Sequence, residues 1–341
     1  MAPHPLSSLL IVAALLQQGD DPSETAAATP VEAPSRAGLA IDRGDEIGYV
    51  IPLAEVLDFA VKADIAILGS TGMGEFQLSA GTEEKPRAGA PSEQQVKRLG
   101  WIRGRAMGDY LNYKLDHLIE ARLLPDTWPS LIYRDTQTGT ENRKRELMYG
   151  QRGGVPTVWF RKDHHCRWHK CKDEAHFVEG VWPFTSDRHC EKCKRAEHRI
   201  WRKPVTGEVP AHAVDMLSAI HLARSMVMGG QEEISFALLD KANWWDMTFV
   251  RGEEKRIEVP AGSFDCLAIK LIPVPPEGEE EESQKFEGLF GMQGTLSVWL
   301  DHATGVPVKI EGLVPAGPWM VDVALELSEY EGTPESFGPV E

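Results

Sequence analysis

The sequence is short of the features that would assign it at sight to an enzyme class or to a membrane. No apolar run approaches the roughly 18 residues needed to cross a bilayer as a helix; the most apolar stretch is Leu6 to Leu16. Positive charge is in deficit: Lys and Arg number 36 against 52 Asp and Glu, a net charge of −16. That balance excludes a dominant basic surface for nucleic acid and disfavours general electrostatic docking on anionic lipid. The chain lacks a nucleophile elbow, a dinucleotide loop and a His-Glu-x-x-His helix. Gly69-Ser70-Thr71-Gly72-Met73-Gly74 has the wrong spacing for a phosphate loop, and no helical pattern follows it, so it reads as a turn.

The N-terminus reads as an export signal. Leu6 to Leu16 is too short for an anchor and suits the apolar region of a signal peptide over residues 1–18, although no Lys or Arg precedes it. Residues 19–43, rich in Ala, Pro, Ser, Thr and acidic side chains, read as a disordered linker. Residues 44–335 then read as one β-rich domain, and the expected location is the periplasm or outer envelope of a bacterium.

Within that domain the pattern has period two. Leu57, Phe59, Val61, Ala63, Ile65 and Ile67 alternate with Asp58, Lys62 and Asp64, as a half-buried antiparallel strand requires. Glu46 to Pro52 is a short strand before it, Gly74 to Ala80 a partner, and Glu83 to Gln94 a polar loop. Alternation returns in Asp109 to Leu123, where His117 falls in the apolar register and reads as a packed histidine. Strands Ser130 to Thr136 and Arg143 to Tyr149 flank Gln137-Thr138-Gly139-Thr140-Glu141-Asn142, a hairpin signal. Pro156 to Lys162 follows.

One helix is expected over Asp215 to Met228, stopped by Gly229-Gly230, with Val214, Leu217, Ile220, His221, Ala223 and Val227 on one face. Strands resume with Glu233 to Leu239. Trp244 to Val250 and Lys255 to Val259 read as a hairpin about Arg251-Gly252-Glu253-Glu254. Phe264 to Pro273, Gly294 to Leu300, Val306 to Leu313 and Trp319 to Tyr330 complete the set. The expectation is a mostly β fold: a large curved antiparallel sheet or half-barrel, one main helix, and a small Cys/His-rich insert.

That insert, residues 163–203, carries the one proposal of specific chemistry. Four of the five cysteines and six of the eleven histidines fall between His164 and His198. Cys190-x-x-Cys193 is a zinc half-site, Cys166 and Cys171 form a looser second half, and the loop between the pairs suits a zinc ribbon. The expected ligands are Cys166, Cys171, Cys190 and Cys193 around structural Zn²⁺, with His169 or His189 as alternates. Two disulfides, or redox or catalytic use, are the other readings; export favours the disulfides, while the histidines and the Cys-x-x-Cys spacing favour metal. Eleven Lys and Arg accompany the segment and make it basic. Cys266, on the apolar run Phe264-Asp265-Cys266-Leu267-Ala268-Ile269, reads as a small buried hydrophobe.

The second half carries a family resemblance. Val214-Asp215-Met216-Leu217-Ser218-Ala219-Ile220-His221-Leu222-Ala223-Arg224 resembles the helix motif of DUF3108, a bacterial envelope family catalogued only as a domain of unknown function. Val259 to Cys266, Leu296 to Asp301 and Val306 to Ile310 are similar to its later strands, and Gly44 to Tyr49 more loosely to its first, so the resemblance would run from Gly44 to Tyr330. It implies an exported antiparallel β-protein with a curved sheet like the half-barrels of lipoprotein carriers, and it brings no catalytic residues. Two functions follow as expectations, beside a third, a zinc-dependent redox or sensor module. One is a non-enzymatic carrier or scaffold for a lipid, glycolipid or lipoprotein, with an apolar concave face. The other is a hydrolase or lyase acting on envelope polysaccharide, with His117, Tyr113 and Arg224 as candidates.

Overall fold

The computed structural model describes residues 52, 54–65, 69–86, 96–110, 113–123, 130–140, 142–165, 199–211, 213–274, 293–316 and 319–340. Its strands are β1 (Ala54–Ile65), β2 (Gly69–Pro86), β3 (Val96–Tyr110), β4 (Tyr113–Leu123), β5 (Ser130–Gly139), β6 (Arg143–Arg152), β7 (Val155–His165), β8 (Arg199–Trp201), β9 (Val205–Glu208), β10 (Glu233–Asp240), β11 (Asn243–Val259), β12 (Gly262–Val274), β13 (Gln293–Asp301), β14 (Pro307–Ala316) and β15 (Trp319–Glu331). One helix, α1 (Met216–Met228), stands among them. The fold is mostly β, as expected: one large, curved, antiparallel sheet that does not close by hydrogen bonding.

The strand order is β10-β11-β12-β13-β14-β15-β1-β2-β3-β4-β5-β6-β7-β8, with β9 on β7. Two meanders are therefore joined where β1 pairs with β15. Alternation sets the faces. Leu57, Phe59 and Ala63 of β1 are buried inward, while Lys62 on the convex side pairs with Glu326 at 2.6 Å. The convex face is laced with such pairs, among them Arg103 with Glu120 and Arg105 with Asp116.

Three local readings are corrected. Residues 96–108, not expected as strand, form most of β3; apart from Ile102, its inward positions Gly100, Gly104, Ala106 and Gly108 are too small to register as an apolar stripe. Space explains one of them: a Cβ on Gly104 would lie 3.1 Å from Phe76 and 3.3 Å from Leu217. The expected turn at Gly69–Gly74 and the start of the expected loop at Glu83 belong to the long strand β2. The expected hairpin about Arg251–Glu254 is a bulge inside one continuous strand, β11, where the register shifts between Arg251 and Glu254. Turn and bulge favour the same Gly-rich chemistry, so composition does not separate them. Glu46 to Ile51 lies outside the described residues.

The helix is placed as expected, but it is buried all round, not on one face. Eleven of its thirteen residues, Leu217 to Val227, are buried. A helix apolar on every side belongs inside a core, and α1 packs within the sheet's concavity against β3, β4 and β10. Its side chains join one cluster with Leu57, Phe76, Ile102, Phe236 and Val298. A second cluster contains Leu147 and Val158 of β6 and β7 together with Ala237 and Leu239 of β10. The two ends of the strand path thus share a core. The seam between them carries Val209 and Val214: Val209 donates to the Pro156 carbonyl, and Val214 exchanges backbone bonds with Ala237 and Leu239 of β10.

Candidate functional site

The antiparallel register places inward side chains in rows across β1 to β7. The lowest complete row reads Glu55, Ala80, Ile102, Ala121, Tyr133, Leu147, Phe160. The next reads Leu57, Leu78, Gly104, Ile119, Asp135, Arg145, Lys162, and the third Phe59, Phe76, Ala106, His117, Gln137, Arg143. Opposed residues in an antiparallel pair point to one side. Over β1 to β3 the upper rows are therefore apolar or small and packed on α1. Over β4 to β7 they become charged at the sheet's lip.

Asp135 is the centre of that lip. It is 6% exposed, and its Oδ1 lies 2.7 Å from His117 Nε2. Arg143 Nη2 and Arg145 Nη1 stand 3.6 and 3.9 Å from its Oδ2, close enough for attraction but beyond hydrogen-bond length. Burial alone would raise the Asp135 carboxyl. The His117 hydrogen bond and the charges of His117, Arg143 and Arg145 outweigh it and hold the group below the usual carboxylate range. An ionised carboxylate only accepts, so His117 donates from Nε2. One row lower, burial drives the Tyr133 phenol well above its ordinary value, helped by the negative charges of Asp135, Asp215 and Asp240 and opposed by Arg145.

A second charged contact on the same concave face has another character. Arg224 of α1 grips Glu55 of β1 through two bonds, Nη1 to Oε2 at 2.5 Å and Nη2 to Oε1 at 3.0 Å. Their side chains are 1% and 2% exposed, so the pair is a closed bolt between helix and sheet. The rest of the helix motif is also structural. Asp215 caps α1, accepting from Leu217 N, Ser218 N and Ser218 Oγ. His221 is fully buried, and burial, then the neighbouring Arg224, depresses its pKa well below the usual value. Asp301 accepts from Thr304 N and Oγ1 to shape the turn that ends at Gly305, whose φ of 68° places it against the Arg224 backbone.

The candidates read from sequence do not converge. Arg224 meets Glu55 in the lowest row, whereas His117 stands in the third; the Tyr113 side chain is outside the described residues. Cys166, Cys171, Cys190, Cys193, His169 and His189 also lie outside them, and among the described residues no three metal-ligating side chains cluster. Cys266 is buried and 1% exposed, its thiol pushed up to about 12 by burial, then by Asp301 and Asp265. Asp135, Gln137, Arg143 and Arg145 were missed. Their signal was parity: each sits an even number of residues from an inward Tyr133 or Leu147, so each had to face the concavity.

Residues 192–323 match a family model described as protein of unknown function (DUF3108). This is the resemblance read from the helix motif, over a shorter span than Gly44 to Tyr330. The DUF3108 match takes in α1 and β10 to β14, while the lip residues His117, Asp135, Arg143 and Arg145 precede it. Among solved structures the chain is similar to a β-barrel-like protein of a domain of unknown function, DUF1849, from Brucella abortus. The two are 8% identical, with a TM-score of 0.43, over 83% of this chain and 99% of that one. No curated protein matches.

Proposed function

We propose that the chain is an exported, non-enzymatic binding protein of the bacterial envelope that engages its ligand at the charged lip of the rolled sheet. The ligand class is the one expected from sequence, part of a lipid, glycolipid or lipoprotein. The carrying observation is the contrast along the concave face: α1 fills it over β1 to β4, whereas over β4 to β7 it ends in His117, Asp135, Arg143 and Arg145. A buried helix occupies the concavity there, so the reading places the contact at the polar rim and not in an apolar lumen. No helix among the described residues is long and apolar enough to cross a membrane. The Cys/His segment is proposed as a zinc clasp built from Cys166, Cys171, Cys190 and Cys193, following directly on β7.

Native mass spectrometry of the full chain mixed with an envelope extract tests the reading. A stoichiometric adduct that disappears in Arg143→Gln/Arg145→Gln is expected; an adduct indifferent to the lip, or none, overturns it. Zinc content without chelator, and the melting temperature of Cys190→Ser/Cys193→Ser, test the clasp: one zinc per chain and a lowered Tm are expected. Metal-free protein with no free thiols at these four positions would mean disulfides instead.

A second reading rests on the 2.7 Å contact of His117 with Asp135. An oriented imidazole beside a carboxylate is an acid–base pair, and a hydrolase or lyase of envelope polysaccharide would use it. Release of reducing or unsaturated ends from such a polysaccharide, abolished by His117→Gln, would favour that reading.

A further inference from the structure

One segment of the chain sits on the fold as a separate peptide would. Beyond β15 the chain turns at Gly332, whose φ of 68° glycine adopts without strain; a Cβ there would lie 2.0 Å from the Ala54 carbonyl oxygen. Residues 333–340 then run back over the sheet outside any strand. Phe337 alone among them is buried, at 6% exposed, whereas Pro334, Glu335, Ser336, Pro339 and Val340 face solvent. An element that belongs to a core buries a stripe or a face; this one buries a single side chain.

Its seat is built from other elements. The Phe337 ring stacks on Phe264 of β12, with centroids 5.0 Å apart and planes 13° from parallel, and meets Tyr330 of β15 at 4.8 Å and 76°. Phe264 and Tyr330 stand 6.4 Å apart at 79°, so the two rings wall a slot for a third. Pro339 lies on Gly262, where a Cβ would come within 2.6 Å of the proline side chain. The backbone completes the seat. β13 pairs with β12 from Cys266 to Leu271, and His302 N donates to the Asp265 carbonyl. Two residues back, where β13 has given way to its turn, the Ser263 carbonyl accepts from Val340 N at 2.7 Å. An edge carbonyl beside a side-chain pocket is the equipment of strand addition, in which main-chain bonds hold an extended peptide and pockets select its side chains.

We infer that Gly262, Ser263, Phe264 and Tyr330 form a peptide-binding slot, held shut in this structure by the chain's own residues 333–340. The ligand class is an extended peptide with an aromatic anchor three residues ahead of a backbone N–H donor, as Phe337 precedes Val340. The slot lies on β12 and β15, outside the β4 to β7 lip, and does not depend on what the lip binds. The resident segment is tethered at Gly332, so its local concentration at the slot is on the order of millimolar. A free competitor therefore enters only when the resident's own grip is weakened, which makes the contact autoinhibitory.

The probe is a synthetic peptide of residues 333–341, observed by NMR as full-length protein is added. Phe337→Ala protein, whose own segment no longer fills the slot, should bind it saturably and at least tenfold more tightly than wild type. A peptide carrying the same Phe337→Ala change should lose that binding. The unaltered peptide should also raise the Tm of the Phe337→Ala protein and leave that of wild type where it is, a rescue that a fixed piece of core does not show. Circular dichroism checks the fold; if Phe337→Ala does not fold, Val340→Pro, which removes the donor to Ser263 and keeps the ring, takes its place. No saturable binding to the folded variant, binding equal in variant and wild type, or binding indifferent to the aromatic anchor of the peptide overturns the inference.

Discussion

Two charged contacts face the same concavity and behave as different devices. Glu55 and Arg224 are sealed in the lowest row, bidentate and almost without solvent. Asp135, His117, Arg143 and Arg145 sit at the lip, with one short bond and two long approaches. Burying two charges costs desolvation that only excellent geometry offsets; the lower pair has that geometry and therefore fixes α1 to β1. The upper group leaves about a quarter of each arginine side chain exposed. Charge on the concave face is closed off in one place and partly exposed in the other.

The comparison can be broken at its strongest point first. Arg224→Ala leaves Glu55 buried without its partner, and about 3–5 kcal/mol of stability should go, read as a large fall in Tm or denaturant midpoint. Replacing both partners, Glu55→Leu with Arg224→Met, should recover most of that loss; no recovery would mean that the pair does more than compensate itself.

Asp215→Ala, which removes the cap of α1, should cost about 1–2 kcal/mol. The loss is expected in the same equilibrium unfolding experiment.

The lip should respond more weakly in stability and through pH. The Asp135 carboxyl is held below its unfolded value, so its contribution is fully present above about pH 4 and is lost as pH falls through the lowered value. Asp135→Asn should cost about 1 kcal/mol at pH 7 and flatten the acid limb of the stability curve. An acid limb identical to wild type would show that Asp135 gains nothing from its neighbours.

The smallest stability effect belongs to Arg145→Ala. A partly exposed arginine 3.9 Å from its partner should contribute less than about 1 kcal/mol. If Arg145→Ala proves as damaging as Arg224→Ala, the lip is structural and the contrast between the two contacts disappears.

How much of this was legible in the chain depends on what each feature needs. The class of fold needed only local period, and Leu57, Phe59 and Ala63 supplied it. Strand β3 was hidden because the inward residues around Ile102 are glycine and alanine; at Gly104 that choice is imposed by Phe76 and Leu217 across the core, which no local window contains. The helix was visible by its apolar face and its terminal glycines, but its burial on every side was not, since that follows from lying inside the curve. The helix segment that resembles DUF3108 is architecture in this fold: Asp215 caps, Ser218 closes the cap, Arg224 bolts. The lip was half visible. His117 stood in the apolar register, while its partner Asp135 lies 18 positions away and is brought to it by the β4–β5 register alone.

The joining of β1 to β15 carries a consequence for how the molecule comes into being. The first and last long strands are neighbours, and Lys62 reaches Glu326 across a separation of 264 residues. Each meander can form from nearby hairpins, but their union waits for the end of the chain. Closure over such a span is entropically slow, so until β15 arrives β1 presents a bare edge to any other strand in reach. A polypeptide stopped short of Trp319 would keep that edge permanently. Its expected fate is aggregation, not a smaller version of the same fold.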